Sequence, residues 1–279
     1  YNKRNMKKHL RLIGIVLWGI LISSCTPITT TPLPTTSAAA LVIHADIWKP
    51  AMSDTWQIQF SGDLDTTIEA DIYVVDGFEI MPEEIESLHQ DERKVICYLN
   101  AGAWEDWRPD ASGYPTEVLG EVMEGWPGER WLDIRQLGLL APLIEARMDM
   151  CQSKGCDGID PDNIHGYTQF TGFELSYNDQ IRFNQFLAEA AHERGMSIGL
   201  KNDLEQIDDL VGDFDWALNE QCFEYDECDY LTPFIKANKP VFNIEYNLEA
   251  GDFCSKAEEA GFYSQIKNLE LDAWRMTCR

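Results

Sequence analysis

Short apolar segments alternate with amphipathic segments along the chain from residue 56 onward. Eight of the apolar segments are rich in β-branched and aromatic residues and have the length of buried strands. They are WQIQF (56–60), DIYVVD (71–76), KVICYLN (94–100), RWLDI (130–134), CDGID (156–160), SIGLKN (197–202), FDWALNE (214–220) and PVFNIEYN (240–247). We predict that these eight segments are the strands of one sheet.

Two of the intervening segments have clear helical patterns. One carries apolar residues at helical spacing after Pro142, which fits a first helical turn, and ends at Gly155. The other begins with Ser176 and Asp179 in the spacing of a capping box and stops at Gly195. Repeated strand–helix–strand units build a parallel sheet.

Eight strands in about 235 residues predict an α/β fold, a single-domain (β/α)8 TIM-type barrel over residues 46–279. The alternative is an open doubly wound sheet, which usually carries a glycine-rich phosphate loop after its first strand. Neither GxGxxG nor GxxxxGK[ST] occurs in the sequence, so the barrel is favoured.

The N-terminal segment has the pattern of an export signal. Five basic residues precede an apolar run over residues 12–22, which is too short to span a bilayer, and we predict a signal peptide over residues 1–24. The string ISSC ending at Cys25 resembles a bacterial lipobox, which predicts acylation of Cys25 and a lipid anchor; ordinary cleavage and release is the alternative. Residues 25–45 are rich in Thr and Pro and read as a tether.

The charge balance is strongly acidic. The chain has 22 Lys and Arg against 48 Asp and Glu, a net charge of -26. Loss of residues 1–24 would leave 17 basic residues against the same 48 acids, or -31. Phosphate backbones need cations, so this balance excludes a nucleic-acid partner.

Seven cysteines remain after Cys25, and an exported protein can pair them. Their spacing predicts three local disulfides, Cys151–Cys156, Cys222–Cys228 and Cys254–Cys278, and leaves Cys97 as a buried thiol. There is no CxxC motif and no histidine near a cysteine cluster, so zinc is a poor interpretation. We expect neither a metal nor a cofactor.

Polar residues, mostly acidic, end the predicted strands. In a TIM-type barrel the active site forms at the C-terminal ends of the strands, so these residues are the candidates for chemistry. They include Asp76, Tyr98, Asn100, Asp133, Asp160, Asp162, Asn163, Lys201, Asn202, Glu220, Gln221, Glu245 and Tyr246. For any single carboxylate, a helix cap or a surface salt bridge is the alternative.

Paired carboxylates at one barrel mouth are typical of glycosidic bond cleavage. One protonates the leaving oxygen, and the other supports the positively charged carbon or activates water. Asp160 to Asn163 could instead hold Ca²⁺, although the segment does not match an EF-hand loop.

Nine tryptophans offer aromatic faces that can stack on sugar rings. Those near strand ends and loops are Trp48, Trp56, Trp104, Trp107, Trp131 and Trp216, and Trp56 is a candidate for substrate binding. Ordinary core packing is the alternative for each one.

The ordered strings WQIQFSG, DIYVVDGFE, ICYLNAG, WEDWRPD, WLDIR, GCDGIDPDNIHGY, GLKND, LNEQCFEYDECD and VFNIEYN resemble glycoside hydrolase family 114, the endo-α-1,4-polygalactosaminidases. The resemblance runs from about Trp48 to Cys278. It implies a TIM-type barrel that hydrolyses α-1,4-linked, partly deacetylated galactosamine polymers of exopolysaccharides. A polymer of this kind is cationic and fits the acidic charge of the chain.

The family motifs also imply roles for particular residues. Asp162 matches the second fixed acid of GxDGxxxDN and would act as nucleophile or charge stabiliser, and Glu220 of the NEQC string would act as acid/base. Asp160 is the other candidate for the acid that faces the substrate. Asp76, Tyr98, Asn100, Lys201 and Glu245 fall on motif positions expected to bind sugar.

We therefore expect an exported, monomeric endoglycosidase that is held to a membrane through Cys25 and acts on an amino-sugar polysaccharide. One alternative is a catalytically silent barrel that only binds polysaccharide. The other is a hydrolase of a different α-linked amino-sugar polymer, such as fully acetylated galactosamine.

Overall fold

The computed structural model describes residues 47–278, so the predicted signal peptide, Cys25 and most of the tether lie outside the described residues. The strands are β1 (Trp56–Gln59), β2 (Ile72–Asp76), β3 (Lys94–Asn100), β4 (Ala103–Glu105), β5 (Leu119–Met123), β6 (Trp126–Leu132), β7 (Gly158–Asp162), β8 (Ser197–Lys201), β9 (Trp216–Glu220), β10 (Val241–Glu245), β11 (Tyr263–Lys267) and β12 (Arg275–Thr277). The α-helices are α1 (Pro82–Gln90), α2 (Leu137–Lys154), α3 (Tyr177–Glu193), α4 (Ile207–Leu210), α5 (Thr232–Lys236) and α6 (Ala250–Ala260). Short 3₁₀ turns occupy Ala111–Gly113, Thr116–Val118, Gly166–Thr168, Leu204–Gln206 and Cys228–Leu231.

The predicted TIM-type barrel is confirmed. Strands β1, β2, β3, β7, β8, β9, β10 and β11 pair in parallel in that order, and β12 adds antiparallel to β11. Several hydrogen bonds join β1 and its end to the C-terminal segment; for example, Phe60 N donates to Leu271 O at 2.8 Å, and Trp56 Nε1 donates to Tyr263 O at 2.9 Å. No helix among residues 47–278 has the length and apolar character needed to cross a membrane.

One predicted barrel strand was wrong. Residues 130–134 do not enter the barrel, because β3 pairs directly with β7. Most of this segment belongs to β6, which forms a separate antiparallel sheet with β4 and β5 between β3 and α2. The eighth parallel strand is β11 instead. Its buried residues include Ser264, Gln265 and Lys267, so the apolar pattern did not reveal it.

Both predicted helices exist. Ser176 caps α3 and accepts a hydrogen bond from Asp179 N, as the capping box predicts. Helix α2 ends at Gly155, which adopts a left-handed conformation, but the helix begins at Leu137, so Pro142 lies inside the helix and not in its first turn.

Large side chains fill the barrel interior below the mouth. They form one cluster of buried residues: Trp56, Ile58, Ile72, Val74, Ile96, Trp216, Leu218, Phe242 and Ile244. The Trp216 ring takes the space beside Gly199, where an added Cβ would come within 2.4 Å of the ring. The interior is therefore packed protein, and only the mouth is open to a ligand.

Two of the three predicted disulfides are confirmed, Cys222–Cys228 and Cys254–Cys278. The third was wrong: Cys97 bonds to Cys156, and Cys151 is a buried free thiol. The three sulfur atoms lie within 4.8 Å of one another. Sequence spacing favours the local pair, whereas the pairing of β3 with β7 brings the distant Cys97 within a Cα distance of 5.9 Å from Cys156.

Candidate active site

A cavity of about 430 Å³ opens at the C-terminal ends of the barrel strands. Its walls come from strand ends, from the antiparallel sheet and from the segment after β11. The lining residues are Phe60, Asp76, Tyr98, Glu105, Trp107, Arg108, Met123, Trp126, Glu129, Asp162, Asn163, His165, Lys201, Asn202, Glu220, Tyr246, Leu269, Glu270 and Leu271.

The centre of this cavity is a lysine shared by two carboxylates. Lys201 Nζ lies 3.0 Å from Asp162 Oδ1 and 3.2 Å from Glu220 Oε2. The distance between Asp162 Oδ1 and Glu220 Oε2 therefore cannot exceed the sum of these two distances. The Asp162 and Glu220 side chains keep 21% and 23% of their surface exposed, so a ligand can reach both.

The turns after three strands aim these groups. Asp162, Lys201 and Glu220 are the last residues of β7, β8 and β9. The next residue in each case, Asn163, Asn202 or Gln221, adopts a positive φ of 60°, 54° or 64°. Such angles are uncommon outside glycine and cluster at functional sites, where the surrounding structure holds them.

Neighbouring polar groups fix the orientation of both carboxylates. Tyr98 OH donates to Asp162 Oδ2 at 3.1 Å. Asn202 Nδ2 donates to Glu220 Oε2 at 2.8 Å, and Tyr246 OH donates to Glu220 Oε1. These hydrogen bonds limit the rotamers open to each carboxylate.

The lysine also sets the charge of Asp162. Burial acts to raise the pKa of Asp162, but attraction to the Lys201 ammonium and its hydrogen bond outweigh this effect, so the pKa lies below the usual value. Burial opposes the charge of Lys201, and the surrounding acids more than compensate, so its pKa is raised well above the usual value. Both groups are ionised at neutral pH.

Asp160 lies one layer deeper in the barrel and is not exposed. Neither of its carboxylate oxygens has a hydrogen-bond partner among the described residues. Burial raises the pKa of Asp160 to about 7, against the opposing effect of Lys201. Of the two acids in the DPDN string, Asp162 therefore faces the cavity, and Asp160 lies beneath it.

A second group of charges forms the wall on the side of the antiparallel sheet. Arg108 donates to both oxygens of Asp76 at 3.0 and 2.7 Å and contacts Glu105 at 2.8 Å. Glu129 accepts a hydrogen bond from Asn100 Nδ2 at 2.9 Å. Burial, followed by the charges of Asp162 and Glu105, raises the pKa of Glu129 to about 7.

Eight of the polar strand-end residues named from the sequence line this cavity: Asp76, Tyr98, Asp162, Asn163, Lys201, Asn202, Glu220 and Tyr246. Asn100 is fully buried and supports the wall, because its side chain contacts Glu129 and Asn163.

The other predicted residues lie elsewhere. Asp133 is buried and pairs with Arg135, and Gln221 donates to Glu224. Glu245 is buried and accepts from the backbone N–H of Phe223. Trp56 packs against Phe242 in the barrel interior, with ring centroids 5.0 Å apart.

Several lining residues were missed at the level of sequence, among them Glu129, Arg108 and His165. His165 stands inside the string GCDGIDPDNIHGY and was within reach of that analysis. Glu129 belongs to the antiparallel sheet, and no sequence pattern predicts that this sheet lies beside the barrel mouth.

Only part of the set of tryptophans named from the sequence lies at the cavity. Of the six tryptophans named, only Trp107 lines the cavity; Trp126, which was not named, lies there as well. These two rings are 54% and 50% exposed and can stack on a sugar. Trp131 and Trp216 are buried, in line with core packing.

Among residues 47–278, only Cys97, Cys151 and Cys156 place three His, Cys, Asp or Glu ligand atoms close enough to share a metal ion. Two of these cysteines are joined in a disulfide. The acids of the DPDN segment do not form such a group.

Comparisons with known proteins identify the family of this chain. The model of the glycoside-hydrolase family GH114 matches residues 37–279. The crystal structure of Aspergillus fumigatus Ega3 in complex with galactosamine is 40% identical, with a TM-score of 0.80, and the match covers 84% of this chain and 98% of Ega3. The glycoside hydrolase domain of PelA from Pseudomonas aeruginosa shares the fold at 14% identity, with a TM-score of 0.64 and coverage of 80% and 98%.

A search of curated proteins finds no significant match. The family model covers most of the chain, and the similarity to Ega3 extends over nearly the whole of that protein. The chain therefore belongs to the glycoside-hydrolase family GH114, and it is a glycoside hydrolase.

Proposed function

We propose that this protein is an exported endoglycosidase that hydrolyses α-1,4 linkages in galactosamine-rich, partly deacetylated exopolysaccharide. The observation that carries the proposal is the contact of one ammonium group, Lys201 Nζ, with two partly exposed carboxylates from different strands, Asp162 and Glu220. The Ega3 complex with galactosamine, at 40% identity, supports the sugar class.

The environment of each acid supports a distinct role. Asp162 is held ionised by Lys201, so its carboxylate can stabilise or attack the anomeric carbon as positive charge develops there. Glu220 would protonate the glycosidic oxygen as the C1–O bond breaks. It would then take a proton from the water that attacks C1 and so return to its starting state.

The spacing of the acids favours retention of configuration. The two oxygens that contact Lys201 Nζ lie 3.0 and 3.2 Å from it, so their separation stays below roughly 6.5 Å, where inverting pairs begin. We expect products that first appear with the α configuration, measured by NMR during the first minutes of hydrolysis.

The wall of the cavity favours a sugar with a free amine. In and behind this wall there are four carboxylates, those of Asp76, Glu105, Asp110 and Glu129, and two arginines, Arg108 and Arg147. An ammonium group on the sugar would balance the excess negative charge, whereas an acetamide would not. The net charge of -26 also attracts a cationic polymer over distance.

The test is cleavage of de-N-acetylated polygalactosamine, followed by reducing-end release and mass spectrometry. We expect Glu220→Gln and Asp162→Asn each to lower kcat by about 10²–10⁴ while polymer binding and circular dichroism persist. Glu259→Gln is the matched control, since Glu259 is exposed on α6. Wild-type rates in either active-site variant would refute the assignment. A wild-type protein that binds without cutting would indicate a silent barrel, and one that cuts only acetylated polymer would indicate a different amino-sugar hydrolase.

Export is part of the same proposal. The three disulfides among residues 47–278 support an oxidising compartment. We propose acylation at Cys25 and anchoring to a membrane. In a bacterial host, the full chain should partition into the membrane fraction and Cys25→Ser should not; equal partitioning of the two would refute the anchor.

A further inference from the structure

A second cavity, of about 390 Å³, opens on the other side of Glu220. It lies over the loops that follow β7, β8 and β9. Three residues line both cavities: His165, Asn202 and Glu220. Asp162 lines only the first of these two cavities, whereas Glu220 lines both.

The different positions of the two acids determine which end of a bound polymer lies in which cavity. The acid that donates a proton acts on the oxygen of the leaving sugar, whereas the other carboxylate acts on C1 of the sugar that is retained. Since Asp162 lies in the first cavity, that cavity takes the sugar whose C1 reacts. Since Glu220 borders both cavities, the glycosidic oxygen lies at the boundary between them.

We propose that the second cavity binds the leaving, reducing-end side of a cationic amino-sugar chain. This assignment rests on the proposed function and goes beyond it, because it gives the polymer a direction across the mouth. The leaving part would lie over the β7, β8 and β9 loops. The non-reducing part would lie under the antiparallel sheet, beside Trp107 and Trp126.

The chemistry of the second cavity fits an aminated sugar. Its outer wall includes the carboxylates of Glu205 and Glu227 and the rings of Tyr167 and Tyr225, and no lysine or arginine is among its described lining residues. Tyr225 is 61% exposed, so its ring is free to stack on a sugar. Tyr167 OH donates to Glu205 at 3.1 Å, which holds that carboxylate in place.

The cavity also continues away from the catalytic acids. A third cavity of about 440 Å³ shares Leu204 and Glu205 with the second. It is lined by two further acids, Asp208 and Asp229, by one lysine, Lys236, and by the exposed ring of Tyr230. Three neighbouring spaces of this size, each within the roughly 300–1,000 Å³ range of small-ligand sites, fit a polymer better than a single sugar.

The experiment uses galactosamine oligomers of defined length that carry a mass label at the reducing end, together with an aryl α-galactosaminide whose leaving group is small. Mass spectrometry maps the cleaved bonds, and kcat/KM is measured on both substrates. For Tyr225→Ala combined with Glu227→Gln, we expect the ratio of oligomer to aryl-glycoside activity to fall about tenfold. We also expect the cleaved bond to shift along the oligomer. Glu193→Gln, at the exposed end of α3, should leave both readouts at wild-type values.

The outcomes separate this inference from the function on which it rests. An unchanged ratio and an unchanged cleavage pattern in the double variant would overturn the second-cavity assignment alone. Equal losses on both substrates would overturn it too, since they would mean structural damage or a role on the first-cavity side. A wild-type protein that cuts neither substrate would overturn the proposed function and this assignment together.

Discussion

Glu129 allows a quantitative test of the cavity wall, because burial there disfavours the ionised form of its carboxyl group. The side chain is 7% exposed, accepts one hydrogen bond from Asn100, and lies near the charges of Asp162 and Glu105. Burial is the main cause that raises its pKa from 4.5 to about 7. The folded protein thus holds this proton more tightly than the unfolded chain does.

The sign of the effect on stability follows from that difference. Below pH 4.5 Glu129 is protonated in both states and has no influence, and as the pH rises to about 7 the folded state loses relative stability. A pKa difference of this size corresponds to about 3 kcal/mol above pH 7. Glu129→Gln keeps an oxygen acceptor for Asn100 and removes the titration.

We expect the Tm of Glu129→Gln to exceed that of the wild type by about 5–10 °C at pH 8. The difference should vanish near pH 4.5, which differential scanning calorimetry can measure. Activity should move the other way: KM for deacetylated polygalactosamine should rise about tenfold, because the carboxylate would no longer attract the amine. A higher Tm together with a higher KM is expected when a residue lowers folding stability but strengthens ligand binding.

Glu124→Gln is the matched control, since Glu124 is exposed in the turn between β5 and β6 and the substitution removes the same charge. A Tm difference for Glu129→Gln that is the same at pH 4.5 and pH 8, or lower stability at both, would refute the reasoning. An unchanged KM would leave Glu129 without a role in amine recognition.

Two further predictions concern Lys201 and Cys151. Lys201→Met removes the ammonium that keeps the pKa of Asp162 low, so the acidic limb of the pH–activity profile should move to higher pH. Lys256→Met on the exposed face of α6 is the control, and an unshifted profile contradicts the role of Lys201. Burial raises the pKa of the Cys151 thiol to about 12, so the thiol should not exchange with the neighbouring disulfide. Peptide mass mapping of both the wild type and Cys151→Ala should give a linked Cys97–Cys156 peptide, whereas a Cys151–Cys156 peptide in the wild type would contradict this.

The sequence determined the fold class and eight of the polar residues that line the cavity. Alternation of apolar and amphipathic segments is a local property, since each strand or helix buries its own apolar residues, and this was enough to predict a barrel. The same reasoning predicted where the candidate active site lies. In a parallel barrel all strands end at one mouth, so polar residues at the ends of β2, β3, β7, β8, β9 and β10 come together around the cavity.

Strand pairing was decided by the tertiary structure. Residues 130–134 have the pattern of a barrel strand, but the direct pairing of β3 with β7 leaves no place for them in the barrel. The same pairing brings Cys97 to Cys156, against the shorter sequence separation of Cys151. Long-range pairing depends on which elements fit together in space, and no window of sequence contains that information.

The direction of each polar side chain was also decided in three dimensions. Asp160 and Asp162 are both strand-end acids in sequence. Asp160 is buried with no hydrogen-bond partner among residues 47–278, whereas Asp162 contacts Lys201 at the cavity. Asp133 and Glu245 fit the pattern equally well but are used in structural hydrogen bonds. Glu129 reaches the site from a sheet outside the barrel. Sequence thus determined which residue types were available near the mouth, and packing determined which of them face the ligand.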